Sequence, residues 1–203
     1  MFEEIYTLNQ DLLLEAQYVP SPRARRWQGP IFPGIIAPPN WHQMSPQERM
    51  LGHWELAPSM TLQTDRQSIF KLHGSVNWRE GEGSRLLVLG RSKEKSIGSS
   101  SLLNGYFEHF ISKLMAGNTK LMVIGYSFRD EHINGALLRA SKEAGLQVYI
   151  VDPRGLDVLN EHPARAYNPL QALRVSGVSS RTLDAIFRGD SLQLQSLMRF
   201  AEA

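Results

Sequence analysis

The chain has 203 residues, 42% of them apolar, with 22 basic and 20 acidic side chains and no cysteine. That composition suits a folded domain with a sizeable core and excludes a disordered tail, a disulfide scaffold, a cysteine nucleophile and a thiolate zinc site. The isoelectric point near 9.0 rests on a net charge of only +2, poor support for nucleic-acid binding, and no apolar run approaches the about 18 residues of a membrane span, so a cytoplasmic protein is expected.

Residues 4–8 (EIYTL) form a short β-rich run that stops at Asn9-Gln10-Asp11, and a brief helical stretch carries Leu12, Leu13 and Leu14. Composition shifts between Val19 and Pro58, where eight of the eleven prolines fall together with Trp27, Trp41 and Trp54. Proline fixes φ and donates no ladder hydrogen bond, so the region reads as a loop-rich insertion, a small subdomain over 19–66. Within it Ser45-Pro46 opens a short helix near 45–54. Its tryptophans read as local core rather than as a platform for stacked bases, and Arg23, Arg25 and Arg26 as a solvated loop. Strand-like runs return at Ser68–Leu72 and Arg85–Leu89, with His73-Gly74-Ser75 as a sharp exit from the first. The polar stretch Ser92–Ser101 reads as an exposed loop.

Leu103, Phe107, Phe110, Ile111 and Leu114 recur three to four apart, an amphipathic helix closed by Gly117. The run LMVIGYSFRDEH at 121–132 then opens the clearest βαβ unit. Its strand is 121–124, its helix runs from Asp130 to Ala144 with a stop at Gly145, and its second strand is Gln147–Val151. Ile133, Leu137, Ala140 and Ala144 make one apolar stripe suited to packing on a sheet. The last fifty residues read as helical, best at Thr182–Phe187 and Leu192–Phe200. The expected architecture is α/β: a Rossmann-like, three-layer, mostly parallel sheet flanked by helices, with a loop-rich insertion. Residues 1–160 form its body and 161–203 a helical extension.

Polar residues stand at the ends of these strands. Asn9 and Asp11 follow the first, His73 follows 68–72, Ser127 stands beside Gly125 after 121–124, and Asp152 follows 147–151. If the strands are parallel neighbours, these groups share the carboxyl edge of the sheet, where ligands bind. Each also has a structural reading. His73 suits a satisfied core histidine, and Asn9 and Asp11 suit turn formers or helix caps. Ser127 and Asp130 suit a capping box, and Asp152 before Pro153 suits a turn. His42, His53, His109, His132 and His162 lack metal-ligand spacing, so no metal site is expected. Gly81-Glu82-Gly83 opens no helix and is rejected as a dinucleotide fingerprint.

IYTLNQDLLLE, KLHGSVNW, VIGYSFRDEHIN and VYIVDP, in this order, resemble the bacterial SIR2-like proteins, distant relatives of the sirtuin NAD-dependent deacylases. The resemblance covers roughly residues 3–160. It implies that Asn9 and Asp11 match the Asn-x-Asp around the nicotinamide end of NAD, and that His73 matches the catalytic histidine beside the nicotinamide ribose. Gly125 and Ser127 match the pair that holds ribose and phosphate, and Asp152 falls where an adenosine-ribose contact is expected. Leu8 stands where the sirtuin pattern has Gln. The cysteines of the sirtuin zinc module are missing, so no zinc is expected. The Gly-Ala-Gly-x-Ser loop that opens such domains has no counterpart here, so the chain reads like the carboxyl-terminal two-thirds of one.

Cleaving the N-glycosidic bond of NAD builds positive charge on the ribose. An amide or carboxylate can orient the nicotinamide, and a histidine titrating near neutrality can accept a proton from a ribose hydroxyl or attacking water. The resemblance therefore implies an NAD+ hydrolase, with His73 and Asn9 as catalytic residues, rather than a protein deacylase. Its implied setting is a bacterial anti-phage defence effector. The alternative is an inactive remnant serving as an interaction or assembly module, in which a second copy or a partner chain completes the sheet.

Overall fold

Among the described residues, short runs bounded by Gly, Pro and Asx residues become strands. The computed structural model describes residues 3–17, 32–39, 43–62, 67–80, 83–90, 93–160, 168–186 and 191–202. Two units divide the chain, Phe2–His109 and Phe110–Ala203. Trp27, Trp41, His42, His162 and the Arg23, Arg25 and Arg26 cluster lie outside the described residues. Each unit is mixed α/β, with parallel strands and accompanying helices in the Rossmann-like manner expected.

The first unit runs β1 (Glu4–Thr7), α1 (Leu13–Gln17), β2 (Ile35–Ile36), α2 (Pro46–Leu51), β3 (Trp54–Leu56), β4 (Ser68–Lys71), β5 (Gly74–Glu80), β6 (Ser84–Leu87), α3 (Lys93–Ser99) and the part of α4 (Ser101–Leu114) up to His109. Strands β1 and β4 pair in parallel from Glu4↔Ser68 to Thr7↔Lys71. A second sheet has the order β2-β3-β5-β6, parallel between β3 and β5 and antiparallel at its other two pairs. Ile69, Phe70, Leu72 and Trp78 are buried, and α4 adds Tyr106. The Tyr106 ring meets Phe70 edge-on at 5.0 Å, and its buried hydroxyl donates to the Pro33 carbonyl at about the limit of close approach. Edge-to-face packing of this kind adds attraction beyond the area that the rings bury.

In the proline-rich region the elements are short, as proline dictates. Helix α2 opens as expected at Ser45-Pro46 with a complete capping box, the Ser45 hydroxyl accepting from the Glu48 N–H while the Glu48 carboxylate accepts from the Ser45 N–H. Trp54 is core, as expected, with its ring 5.4 Å from Phe32. The region is not only loop, however: β2 and β3 join the second sheet. Residues 92–101 also depart from expectation. Its Lys93–Ser99 part is helix α3, anchored by buried Ile97, because Lys and Glu favour helix and one docked apolar residue suffices without a visible period. Strand β5 went unanticipated because a bulge between Gly74 and Arg79 breaks its alternation.

The second unit contains β7 (Lys120–Ile124), α5 (Glu131–Glu143), β8 (Gln147–Val151), β9 (Val175–Ser179) and α6 (Ser191–Glu202), with 3₁₀ turns at Gly155–Asn160 and Pro169–Ala172. The βαβ unit is therefore present with nearly the expected bounds. All three strands are parallel in the order β7-β8-β9. Strand β8 is central and buried from Val148 to Val151, whereas β7 is an edge of this sheet and leaves Ile124 exposed. Tyr149 and Val151 on one face of β8 pack with Ile186 and Leu197, joined by Met122 and Phe200. The carboxyl-terminal stretch expected to be wholly helical includes strand β9, whose VSGVS sequence hides its character behind Gly177. A side chain there would overlap the Tyr149 ring at 2.4 Å, so the glycine makes room for the neighbouring strand. No helix among the described residues is long and apolar enough to cross a membrane.

Candidate functional site

At the carboxyl ends of β1 and β4 the chain leaves both strands through polar turns. Because Thr7 pairs with Lys71, Asn9 and His73 each stand two residues beyond that pair, on the same edge. The Asn9 N–H donates to the Thr7 hydroxyl at 3.0 Å, and the Asp11 carboxylate accepts from the Leu13 N–H at 3.0 Å at the start of α1. Asp11 thus serves as the turn former that its residue type suggested. Both Asn9 and Asp11 are exposed, while His73 is buried. Gln10 ties the two turns together. Its side-chain amide donates to the Val88 carbonyl and, at 3.4 Å, to that of His73, and its own carbonyl accepts from the Val76 N–H at 3.2 Å. Gly74, at φ +71°, is obligatory, since a Cβ would stand 2.0 Å from the Leu86 carbonyl oxygen.

Beneath these turns lies a buried polar cluster that the sequence reading passed over. Lys71 and Glu15 are 1% and 0% exposed, and Ser75 is equally sealed. The Lys71 ammonium donates to Glu15 Oε1 at 2.8 Å, to Ser75 Oγ at 2.8 Å and to the Asp11 carbonyl, and Ser75 Oγ donates to Glu15 Oε1 at 2.8 Å. Burial pushes the Lys71 ammonium below its ordinary range, and the Glu15 carboxylate opposes that shift. The available signal was a lysine inside the apolar run SIFKL.

The second unit has a comparable edge. Ile124 pairs with Val151, and the next residue, Gly125, turns at φ +60° with its N–H donated to the Val151 carbonyl at 3.0 Å. Gly125 is exposed, with nothing within 4 Å of where a Cβ would stand, so a ligand can approach its backbone closely. Asp152 follows β8, is 4% exposed, and sends its N–H to the Ser179 carbonyl at 3.1 Å. Arg154 holds both of its carboxylate oxygens, at 3.0 and 3.3 Å, and this hydrogen bonding keeps the carboxyl below the ordinary range.

Ser127 is half-buried and is not the cap of α5. Asp130 takes that position, without a side-chain cap hydrogen bond, so the capping box expected of Ser127 and Asp130 is not formed. The loop is held otherwise. Phe128 adopts φ +55°, and the buried Asn134 donates from Nδ2 to its carbonyl at 2.7 Å. The Tyr126 hydroxyl lies 3.0 Å from Asn134 Oδ1 and 3.2 Å from the Asp130 carbonyl. Burial raises the Tyr126 hydroxyl above the ordinary phenol range, so it remains a donor. Asp130 and Glu131 place the chain's own acids at the positive end of α5.

Asn9, Asp11 and His73 are thus brought to one strand edge in the first unit, and Gly125 and Asp152 to one strand edge in the second, with Ser127 two residues on. Parallel strands whose carboxyl ends open into polar, glycine-marked turns define an α/β protein of the Rossmann-like class. The family described as SIR2-like domain matches residues 3–173, which include every one of these positions. The chain belongs to that family, and membership carries an NAD-related role in general terms. No curated protein matches the chain.

Proposed function

We propose that this SIR2-like domain binds NAD and hydrolyses the bond between nicotinamide and ribose. His73 and Asn9 are the catalytic residues of this reading, and Asn9, Asp11, Gly125, Ser127 and Asp152 bind the dinucleotide. The observation that carries it is the stitching of the Asn9–Asp11 turn to the His73 turn through Gln10, at one parallel strand edge. In this scheme Asn9 orients the nicotinamide amide, and the His73 imidazole takes a proton from a ribose hydroxyl or the attacking water. Water adds to the ribose carbon as nicotinamide departs with the bonding electron pair, giving ADP-ribose, nicotinamide and one proton. Gly125 admits the ligand backbone-close, Ser127 offers a hydroxyl to the ribose, and Asp152 accepts from the adenosine ribose after partial release by Arg154. No zinc takes part. The domain assignment that goes with this reading is a body over 1–160, a small inserted subdomain over 19–66 and an extension over 161–203. The biological setting is defence against phage in a bacterial cytoplasm, alone or with a second chain.

The test is nicotinamide release by the purified chain supplied with NAD+. His73→Ala is expected to lower the rate by about 10² to 10⁴ while leaving NAD binding measurable. A chain that neither binds NAD nor releases nicotinamide overturns the proposal. Binding without release removes the hydrolase and leaves the assembly module.

A further inference from the structure

The cluster of Lys71, Glu15 and Ser75 is out of character with its surroundings. Ile69, Phe70, Leu72 and Trp78 around it in sequence are all buried apolar residues, and an apolar trio would pack such a place without removing two charges from water. Yet the cluster is complete. An ammonium has three donors, and all three are used, on Glu15, Ser75 and the Asp11 carbonyl; the Ser75 hydroxyl both accepts from Lys71 and donates to Glu15. Four segments meet at one nitrogen: the turn after β1, helix α1, the end of β4 and the start of β5. Lys71 and Ser75 stand two residues before and two residues after His73. The aromatic face of Trp78 lies 5.9 Å from the ammonium.

We propose that the buried triangle of Lys71, Glu15 and Ser75 is a positioning device that fixes the main-chain carbonyl of Asp11, and with it the Asn9–Asp11 turn, against the turn carrying His73. A point charge with three directed donors fixes distance and direction together, which apolar contacts do not. The triangle touches no substrate; it acts through the residues it holds. Its consequence for turnover rests on the hydrolase reading above, but its consequence for the two turns does not.

The test pairs Glu15→Leu with Lys71→Met in the full chain, since removing both charges leaves neither one stranded. The paired variant is expected to melt close to the parent. Its kcat for nicotinamide release falls by about 10- to 100-fold, as for a misplaced reacting group, whereas a purely structural role leaves kcat per folded molecule unchanged. Amide exchange supplies an independent reading. The Val76 N–H, bonded to the Gln10 carbonyl, exchanges faster in the paired variant, while β8 amides in the second unit keep their protection. Should the paired variant fail to fold, Ser75→Ala keeps the ion pair and removes one vertex, and faster Val76 exchange is again expected. If the parent releases no nicotinamide, the hydrolase reading falls and exchange alone decides. Parental Val76 exchange in a folded variant overturns the positioning role, as does parental kcat in the paired variant where the parent is active.

Discussion

The two polar strand edges are held by different chemistry. In the first unit the turns are fixed by a buried ion pair whose partners are 56 residues apart in the chain, with Ser75 bridging 60 residues back to Glu15. In the second the Gly125–Asp130 turn is clamped by neutral groups four to eight residues apart, Tyr126 and Asn134. A charged, long-range clamp fixes elements remote in sequence but fails badly if halved, because a lone buried charge has no water to turn to. A neutral, local clamp closes a short loop and loses only hydrogen bonds when cut. The first edge should therefore be the more fragile to single substitutions and the more tolerant of paired ones.

The sharpest break of that contrast is Lys71→Ala alone. It strands the Glu15 carboxylate and is expected to cost about 3–5 kcal/mol, read as a fall in the denaturant midpoint. If the single variant is as stable as the Glu15→Leu, Lys71→Met pair, the charged clamp has no such asymmetry. In the second unit Asn134→Ala leaves the Phe128 carbonyl without its donor while Phe128 stays at positive φ. About 1–3 kcal/mol is expected, and a loss matching that of Lys71→Ala would erase the distinction between the two edges.

The smallest effect belongs to Asp152 and Arg154. The Asp152 carboxyl is held below the ordinary carboxylate range chiefly by hydrogen bonding from Arg154. A depressed carboxyl contributes stability that is present in full above the unfolded value and is lost as pH falls through the folded one. Melting temperature should thus decline more steeply below about pH 4 in the parent than in Arg154→Met. With the Arg154 side chain 40% exposed, the difference stays under about 1 kcal/mol. Identical slopes between pH 5 and 3 would show that the pair contributes nothing.

Much of the fold was legible where signals are local. The run LMVI before Gly125, the stripe Ile133-Leu137-Ala140 and the stop at Gly145 place β7, α5 and β8 within a residue or two. Ser45-Pro46 places α2, and the Leu103–Leu114 spacing places α4. Legibility failed where tertiary contact overrode a weak local pattern. Helix α3 rests on one buried isoleucine, β5 carries a bulge, and β9 contains a glycine whose reason is the Tyr149 ring on the adjacent strand.

The candidate site divides the same way. The polar residues at strand ends (Asn9, Asp11, His73, Ser127 and Asp152), and Gly125 with them, stand out because apolar runs end there abruptly. The groups that orient them do not. Lys71 shows only as a lysine inside the apolar run SIFKL, its partners hidden until β1 and β4 are paired, and Arg154 is unremarkable until it folds back onto Asp152.

Outside α3, β5 and β9, local order along the chain determined which segments extend, which coil and which residues stand where they stop, because periodicity and the φ limits of glycine and proline act over a few neighbours. Strand partnership decided the rest. Setting Thr7 opposite Lys71 brings an ammonium, a carboxylate, a hydroxyl and a main-chain carbonyl within hydrogen-bond reach. Many of the chain's other charges could have made such a pair; only the parallel register of two distant strands, with α1 laid beside them, selects this one.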